Sequence, residues 1–334
     1  MFNRAKGHTP ETVNDERSDS AIELIGVRKQ FGDLVAVDEL DLAVPRGATY
    51  GLLGPNGAGK TTTIRLLLRI LEPDAGELRV FGQPVRRNLL DRVGYLPEER
   101  GLYRSMNIRP MLSFLAQLKG VTPRESGPRI EAWLERFGLE DRADDKVQDF
   151  SKGMQQKLQF IAAVLHEPDV VVLDEPFSGL DPINQRVLKE VIADIRQTGR
   201  TILLSTHLIE YAERLCDHVC IIDGGRKIVD GPVKRVKREH GGTHVALTLD
   251  GVSRVDTLTL VEKFEAMSSV TRVLADGNDL EVTLKDNADS NDFLATLVSN
   301  GIRLQRFQRV EPSLQQIFIE RVGVDPETGT RADV

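Results

Sequence analysis

The sequence predicts an α/β chain of two domains. The larger is built on a parallel sheet with an antiparallel β layer and a helical insert, and the smaller is an α+β domain of ferredoxin-like order. Three observations carry this reading. Ala48 to Leu53 is a short apolar run that enters a glycine-rich turn and then the apolar stretch Thr61 to Leu71, the strand, loop and helix that begin a parallel α/β unit. The apolar runs Val170 to Leu173, Thr201 to Ser205 and Val219 to Ile222 supply further strands of that sheet. Beyond residue 242 the pattern reads β-α-β-β-α-β and a last helix.

Taken in order, residues 1–20 are polar throughout, lack the apolar region of a signal peptide, and are expected to be a disordered tail. The large domain is expected over 21–232. From Ile22 to Val44 apolar residues recur mostly at period two, as Val35, Val37, Leu40, Leu42 and Val44 do, which predicts antiparallel strands. Between about 105 and 150 the period changes. Ile130, Trp133, Leu134 and Phe137 fall on one helical face, so an all-helical insert interrupts the sheet.

Gly231-Pro232, the basic run Lys234 to Arg238 and Gly241-Gly242 predict a linker over 233–242, its cations a solvated face. The small domain, 243–322, is expected to run strand 244–250, helix 256–267, strands 269–275 and 279–285, helix 290–300, strand 302–310 and helix 312–321, with a tail over 323–334.

Composition narrows the function. At 334 residues the chain is long for one domain, and its 40% hydrophobic and 28% charged residues are enough to build cores in water. The net charge of −7 argues against a nucleic-acid partner, because phosphate backbones require a basic face. Cys216 and Cys220 do not make a disulfide framework and suit a reducing compartment; with His218 between them they sit too close together for the usual zinc spacings. The richest apolar run, Ile64 to Leu71, contains two arginines and is far short of the ~20 residues that a membrane span requires. If the protein serves a membrane, it does so through a partner.

The chemistry concentrates in three places. Gly54 to Thr61, GPNGAGKT, fits G-x-x-x-x-G-K-[ST] in the right setting, between a strand and a helix. In such a loop, formed here by Asn56, Gly57, Ala58, Gly59, Lys60, Thr61 and Thr62, backbone N–H groups turn inward around phosphates. Lys60 reaches the β- and γ-phosphates, and the Thr61 hydroxyl ligates Mg²⁺. The run VVVLDE places two carboxylates at the end of a buried strand, where Asp174 suits the Mg²⁺ site and Glu175 a base that polarises the attacking water. The third place, FSKGM, opens a helix with a serine cap, a lysine and a glycine; an anion at a helix N-terminus explains the last two, which capping alone does not need.

With the glycine loop, VVVLDEP, Ser178-Gly179-Leu180-Asp181 and Ser205-Thr206-His207 in this order, residues 22 to about 232 resemble the ATP-binding subunit of an ABC transporter. The resemblance implies that two copies of the chain, or this chain and a homologous subunit, sandwich ATP. FSKGM takes the place of the family's signature, so that Ser151, Lys152 and Gly153 close over a phosphate held by the other copy. It also implies that Phe31 stacks on adenine, that Asp181 lies in the loop linking the two sites, and that His207 contacts the γ-phosphate. Taken alone, Phe31 suits a core equally well, and a single histidine at a strand end is more often structural.

Two positions depart from the family pattern: Glu98 stands where a glutamine usually approaches Mg²⁺, and Met154 stands where the signature usually has glutamine. LPEERGLY, SKGMQQK and the closing PSLQQIF are similar to a bacterial exporter branch that includes sodium-extrusion and drug-export ATPases. The resemblance therefore implies an ATPase peripheral to the cytoplasmic face of the cell membrane, powering export through separate integral membrane subunits. The other readings are a regulatory ATP-binding subunit that does not hydrolyse, and a soluble ABC protein with no transport role. In EERGLYRSM, the side chains of Leu102, Tyr103 and Met106 are expected either to line an apolar groove that receives the membrane partner or to pack on the insert.

Overall fold

The computed structural model describes residues 19–99, 101–241, 244–251, 254–285 and 288–323, and within it the chain divides into two compact units at Gly231. The parts of the expected tails at 1–18 and 324–334 lie outside the described residues.

The first unit has two sheets. In the antiparallel layer, β1 (Ser20–Phe31) and β2 (Leu34–Pro45) form a hairpin about a Gly32-Asp33 turn, and β4 (Ala75–Val80) and β5 (Gln83–Pro84) extend it in the order β2-β1-β4-β5. The register sets Leu24 opposite Leu42 and Val27 opposite Leu40, which places the alternating apolar residues on one buried face. The second sheet contains β3 (Thr49–Leu53), β6 (Val93–Leu96), β7 (Val170–Asp174), β8 (Thr201–Thr206), β9 (His218–Asp223) and β10 (Arg226–Pro232), in the order β10-β9-β3-β8-β7-β6. From β9 to β6 every pairing is parallel.

Its central strands β3, β7 and β8 read as continuous apolar runs because both faces are covered, and all five residues of β3 and of β7 are buried. The main core lies between this sheet and the antiparallel layer. It joins Leu24, Val37 and Leu42 to Leu52, Val172 and Leu203, and it includes Ile64, Leu66 and Leu67 of α1 (Lys60–Leu67). That helix stops short of the expected Leu71 because Arg69 takes a left-handed φ of 54°.

After the short α2 (Arg87–Leu90), the insert consists of α3 (Ile108–Leu118) and α4 (Pro123–Arg136) and leads into α5 (Lys152–Val164). Thr122 and Glu125 form a reciprocal cap at the start of α4. The expected apolar face is its packing face: Ile130, Leu134 and Phe137 are buried, and the Trp133, Phe137 and Phe160 rings meet at centroid distances of 5.9 to 6.3 Å, fastening the insert to α5. The unit closes with α6 (Pro182–Gln197) and α7 (Ile209–Leu215).

The second unit begins where the linker was expected. Residues Val233–His240 form a helix, α8, because Val233 and Val236 recur at a helical interval and are buried, while Lys234, Arg235 and Arg238 face solvent. The basic run is the polar face of that helix. Behind it come β11 (His244–Leu249), α9 (Arg254–Glu265), β12 (Val270–Asp276), β13 (Asp279–Leu284), α10 (Ser290–Ser299), β14 (Leu304–Arg309) and α11 (Leu314–Val322). The sheet order β12-β13-β11-β14, antiparallel throughout, is the ferredoxin-like arrangement. Val245, Leu247, Phe264, Val282 and Leu297 form its core. His240 joins α8 to α11: its Nδ1 pairs with the Val236 carbonyl and its Nε2 accepts from Arg321 Nε at 3.2 Å.

Candidate ATPase site

Four parallel strands deliver the candidate residues to one edge of the sheet. β3 ends at the glycine loop, β8 at His207, β7 at Asp174 and Glu175, and β6 two residues before Glu98. The crevice at the carboxyl ends of such strands is where ligands of open α/β sheets bind. Two glycines let the loop fit. At Gly59 a side chain is barred twice over, by a φ of +103° and by the Ala36 carbonyl oxygen 2.3 Å from where Cβ would sit; at Gly54 the Ile222 carbonyl oxygen would be 2.4 Å away.

Lys60 is 6% exposed, and its Nζ donates to the Gly54 carbonyl at 2.8 Å and the Pro55 carbonyl at 3.2 Å while standing 3.4 Å from Glu175 Oε1. Glu175 is itself buried. Its Oε2 lies 2.9 Å from His207 Nδ1, and its backbone N–H donates to both the carbonyl and the hydroxyl oxygen of Ser205. Its φ of +48° is a strained value for a side chain of this size and is held by those contacts. Asp174 Oδ1 accepts from the Ser205 hydroxyl at 2.5 Å and the Thr61 hydroxyl at 3.4 Å. Asp174 Oδ2 is buried without a hydrogen-bond partner among the described residues. Burial pushes the Asp174 carboxyl above its ordinary range, the Glu175 charge adding to this and the Ser205 and Thr61 hydroxyls opposing it. Glu98 is also raised, first by burial and then by the charges of Asp174 and Glu175.

Phe31, Asn56, Gly57, Ala58, Gly59, Lys60, Thr61, Thr62, Glu98 and Glu175 line one cavity of about 430 Å³, with Leu34 and Ala36 beside Phe31. This volume is in the usual range for a small-molecule site. Asp174 and His207 are not among its lining residues and are joined to it through Thr61 and Glu175. Phe31 is 44% exposed, so the core alternative for it is excluded.

The remaining candidates lie elsewhere on the unit. Ser151 caps α5, accepting from the Met154 N–H at 3.3 Å, and with Lys152 it lines a separate cavity. Asp181 caps α6 through the Ile183 and Asn184 N–H groups, and hydrogen bonding to Asn184, its chief cause, holds its carboxyl below the ordinary range. A Cβ at Gly153 would lie 3.6 Å from Leu180 and 3.8 Å from Asn184, so the signature helix begins against the Asp181 loop. Sequence patterns assign no role to Ser205; its part follows from the pairing of β7 with β8, which sets it opposite Asp174.

A further groove of about 410 Å³ is lined by Leu68, Ile70, Leu90, Leu102, Leu118 and His166 among others, with Ile70 and Leu118 more than half exposed. Of Leu102, Tyr103 and Met106, expected either to line such a groove or to pack on the insert, Leu102 is the one among its lining residues. Tyr103 packs edge-on against Phe114 of the insert at 5.7 Å, and the Met106 carbonyl accepts from the Val147 N–H. Local sequence placed them together, and the turn before α3 separates them.

His166 gives this region a pH dependence. Burial, reinforced by the Lys119 cation, lowers its pKa from 6.5 to about 4. The unfolded chain therefore binds the proton more readily, and the stability contributed by neutral His166 is complete above pH 6.5 and is lost as pH falls towards 4. Melting temperature measured from pH 7.5 to 4.5 is expected to fall more steeply for the wild type than for His166→Leu; parallel curves would assign the acid sensitivity to other groups.

Comparison with known proteins agrees with this geometry. Residues 37–178 match the model of the ABC transporter family, and residues 231–322 match that of the C-terminal domain of DrrA1-3-like ATP-binding proteins. The chain is 44% identical over 297 residues to the uncharacterized ABC transporter ATP-binding protein YhaQ of Bacillus subtilis (strain 168), covering 89% of this chain and 97% of that one. It is 34% identical over 315 residues to the Nod factor export ATP-binding protein I of Rhizobium sp. (strain N33), covering 92% and 98%. Among solved structures, an ATP-binding subunit of an ABC transporter superposes with a TM-score of 0.63 at 32% identity, over 72% of this chain and 98% of that one. CbiO1 of Clostridium perfringens, part of the ABC transporter complex cbiONQ, superposes with a TM-score of 0.59 at 26% identity, over 66% and 92%. With a buried loop lysine, a paired Asp-Glu strand end and a histidine on that glutamate, in a chain of this ancestry, the protein belongs to the ATP-binding subunits of ABC transporters and is an ATPase coupled to transport.

Proposed function

We propose that the chain powers export through separate integral membrane subunits, acting as a dimer in which each ATP lies between the glycine loop of one copy and the FSKGM segment of the other. The observation that carries this is the separation of the two halves of the chemistry: Lys60 and Glu175 line one cavity, and Ser151 and Lys152 line another. A helix N-terminus with an adjacent lysine, standing outside its own chain's nucleotide cavity, suits a phosphate presented from elsewhere. No helix among the described residues is long and apolar enough to cross a membrane; the chain would attach to the cytoplasmic face through its membrane partner. Relatives named for Nod factor export support the direction of transport.

The loop N–H groups and Lys60 would bind the triphosphate, Phe31 would stack on the adenine, and Glu175, oriented by His207, would polarise the attacking water. Lys60 Nζ stands 3.4 Å from Glu175 Oε1, and its attraction to a bound phosphate would leave that carboxylate to the water. Asp181 would link the two sites from the loop beside the signature helix. The buried Asp174 Oδ2, without a hydrogen-bond partner among the described residues, fits Mg²⁺, with Thr61 and Glu98 as the other residues that would hold the ion. When bound, the ion would neutralise charge on the transferred phosphoryl oxygens. His207, held against Glu175, would contact the γ-phosphate.

The membrane partner would seat a short helix in the groove that contains Leu102, because Ile70 and Leu118 offer exposed apolar contacts at its rim. Ile70→Asp combined with Leu118→Asp is expected to reduce transport by an order of magnitude or more while basal ATPase activity stays near wild type. ATP-driven uptake into inverted vesicles, set against the ATPase rate of the purified chain, measures this. Unimpaired transport would remove the groove as the docking site.

A further inference from the structure

Arg142 ends a short 3-10 turn of the insert, Glu140–Arg142, and its guanidinium reaches across to both flanks of the FSKGM segment. Nε donates to Asp145 Oδ2 at 2.7 Å, which anchors one edge of the fork. Nη2 donates to the Asp149 carbonyl at 3.3 Å, Nη1 to the Met154 sulfur at 3.7 Å, and Cζ lies 4.4 Å from the centroid of the Phe150 ring. One planar group thus touches the residue before Phe150, the Phe150 ring, and the residue whose backbone N–H caps on Ser151. Met154, the departure from the family's glutamine, receives a specific partner, a thioether accepting from a cation.

We propose that Arg142 is a positioning residue for ATP hydrolysis: its fork sets where Ser151, Lys152 and the first N–H groups of α5 stand when they close over a nucleotide held by the other copy. Three features support the role. The guanidinium presents its donors in a rigid plane, so contacts made by one fork fix their relative positions, which a flexible lysine does not do. The segment between the clamped residues, Ser151 to Gly153, is short, mostly exposed and joined to the first turn of α5, so a shift of Phe150 or Met154 is carried directly into it. The second tie, Gln155 Nε2 donating to the carbonyls of Phe150 and Val147 at 2.9 and 3.3 Å, holds the backbone but leaves the Phe150 ring and the Met154 side chain to Arg142. The Arg142 side chain is 41% exposed, and half-solvated contacts of this kind contribute little to global stability. Its removal is therefore expected to leave a folded chain with a misplaced segment.

The inference rests on the reading that FSKGM completes the other copy's site. The test uses full-length mixed dimers isolated with two affinity tags, one chain carrying Lys60→Ala and the other Ser151→Arg, so that the one whole site joins the loop of the second chain to the signature of the first. Arg142→Ala is added to either chain and ATPase activity is measured. In the Lys60→Ala chain, which supplies the working signature, it should lower activity by about tenfold to 10², the cost of a small misplacement in a catalytic arrangement. In the Ser151→Arg chain, whose signature is already blocked, activity should stay within about twofold of the parent dimer, since sites that share no partners act independently. Equal loss in the two placements would make Arg142 a stabilising residue only, and no loss in either would remove its role; both outcomes overturn the proposal. A parent dimer that hydrolyses no ATP while the wild-type dimer is active would overturn the composite site, and the positioning role with it.

Discussion

Replacing Glu175 by glutamine is expected to lower ATP turnover by about 10² to 10⁴ while leaving ATP binding near wild type. The substitution keeps the size of a side chain that is 5% exposed, and the amide oxygen can still accept from His207, so the strained backbone at φ +48° retains its support. What is lost is the negative charge that polarises water. The glycine loop does not depend on that charge for its shape, because Lys60 is also held by the Gly54 and Pro55 carbonyls. With hydrolysis blocked, the closed dimer should accumulate. Single-turnover phosphate release and size-exclusion chromatography with and without ATP test both parts. A mutant that turns over at the wild-type rate would place the base elsewhere, and an ATP-independent monomer would count against the sandwich.

The second large effect concerns the two halves of the proposed composite site. Ser151→Arg is expected to reduce hydrolysis to background without weakening ATP binding to the isolated chain, because Ser151 does not line the nucleotide cavity. The bulky cation would block closure. Losing the serine cap costs only about 1 kcal/mol, so Ser151→Ala, which lacks the same cap without the bulk, separates the steric effect from the helix end. Lys60→Ala should instead abolish ATP binding, since the triphosphate loses its fixed countercharge. Neither mutant should hydrolyse alone, and their mixture should regain activity through the one whole site. If Ser151→Arg weakens ATP binding in monomers as much as Lys60→Ala does, the segment serves its own chain's pocket.

Much of the site is legible in the sequence because its parts are contiguous. The glycine loop must be a run, since successive N–H groups surround one phosphate chain, and the strand that feeds it and the helix that leaves it are its immediate neighbours. Asp174 and Glu175 announce themselves for a similar reason, two acids at the end of four buried apolar residues. The small domain is equally clear, its strands and helices alternating with turn residues between them. The stretch 233–242 is read as linker because its glycines and charges dominate; its two buried valines mark it as a helix only once α11 is known to pack against it.

The sequence by itself determined what depends on neighbours along the chain: the strand, loop and helix around the glycine turn, the order of the small domain's strands and helices beyond residue 243, the acidic pair and the capped entrance at Ser151. Only the tertiary structure decided which residues meet across it. Ser205 reaches Asp174 from the adjacent strand, 31 residues away. His207 meets Glu175 because β8 lies beside β7, and Lys60 meets it because β3 lies beside β8. Arg142 finds Met154 by the folding of the insert, and Tyr103 turns onto Phe114, leaving Leu102 to the groove. The physical reason is the same in each case. Periodicity and turn chemistry act over a few residues, whereas a side-chain hydrogen bond across a sheet depends on strand order, which is set by how apolar faces are buried.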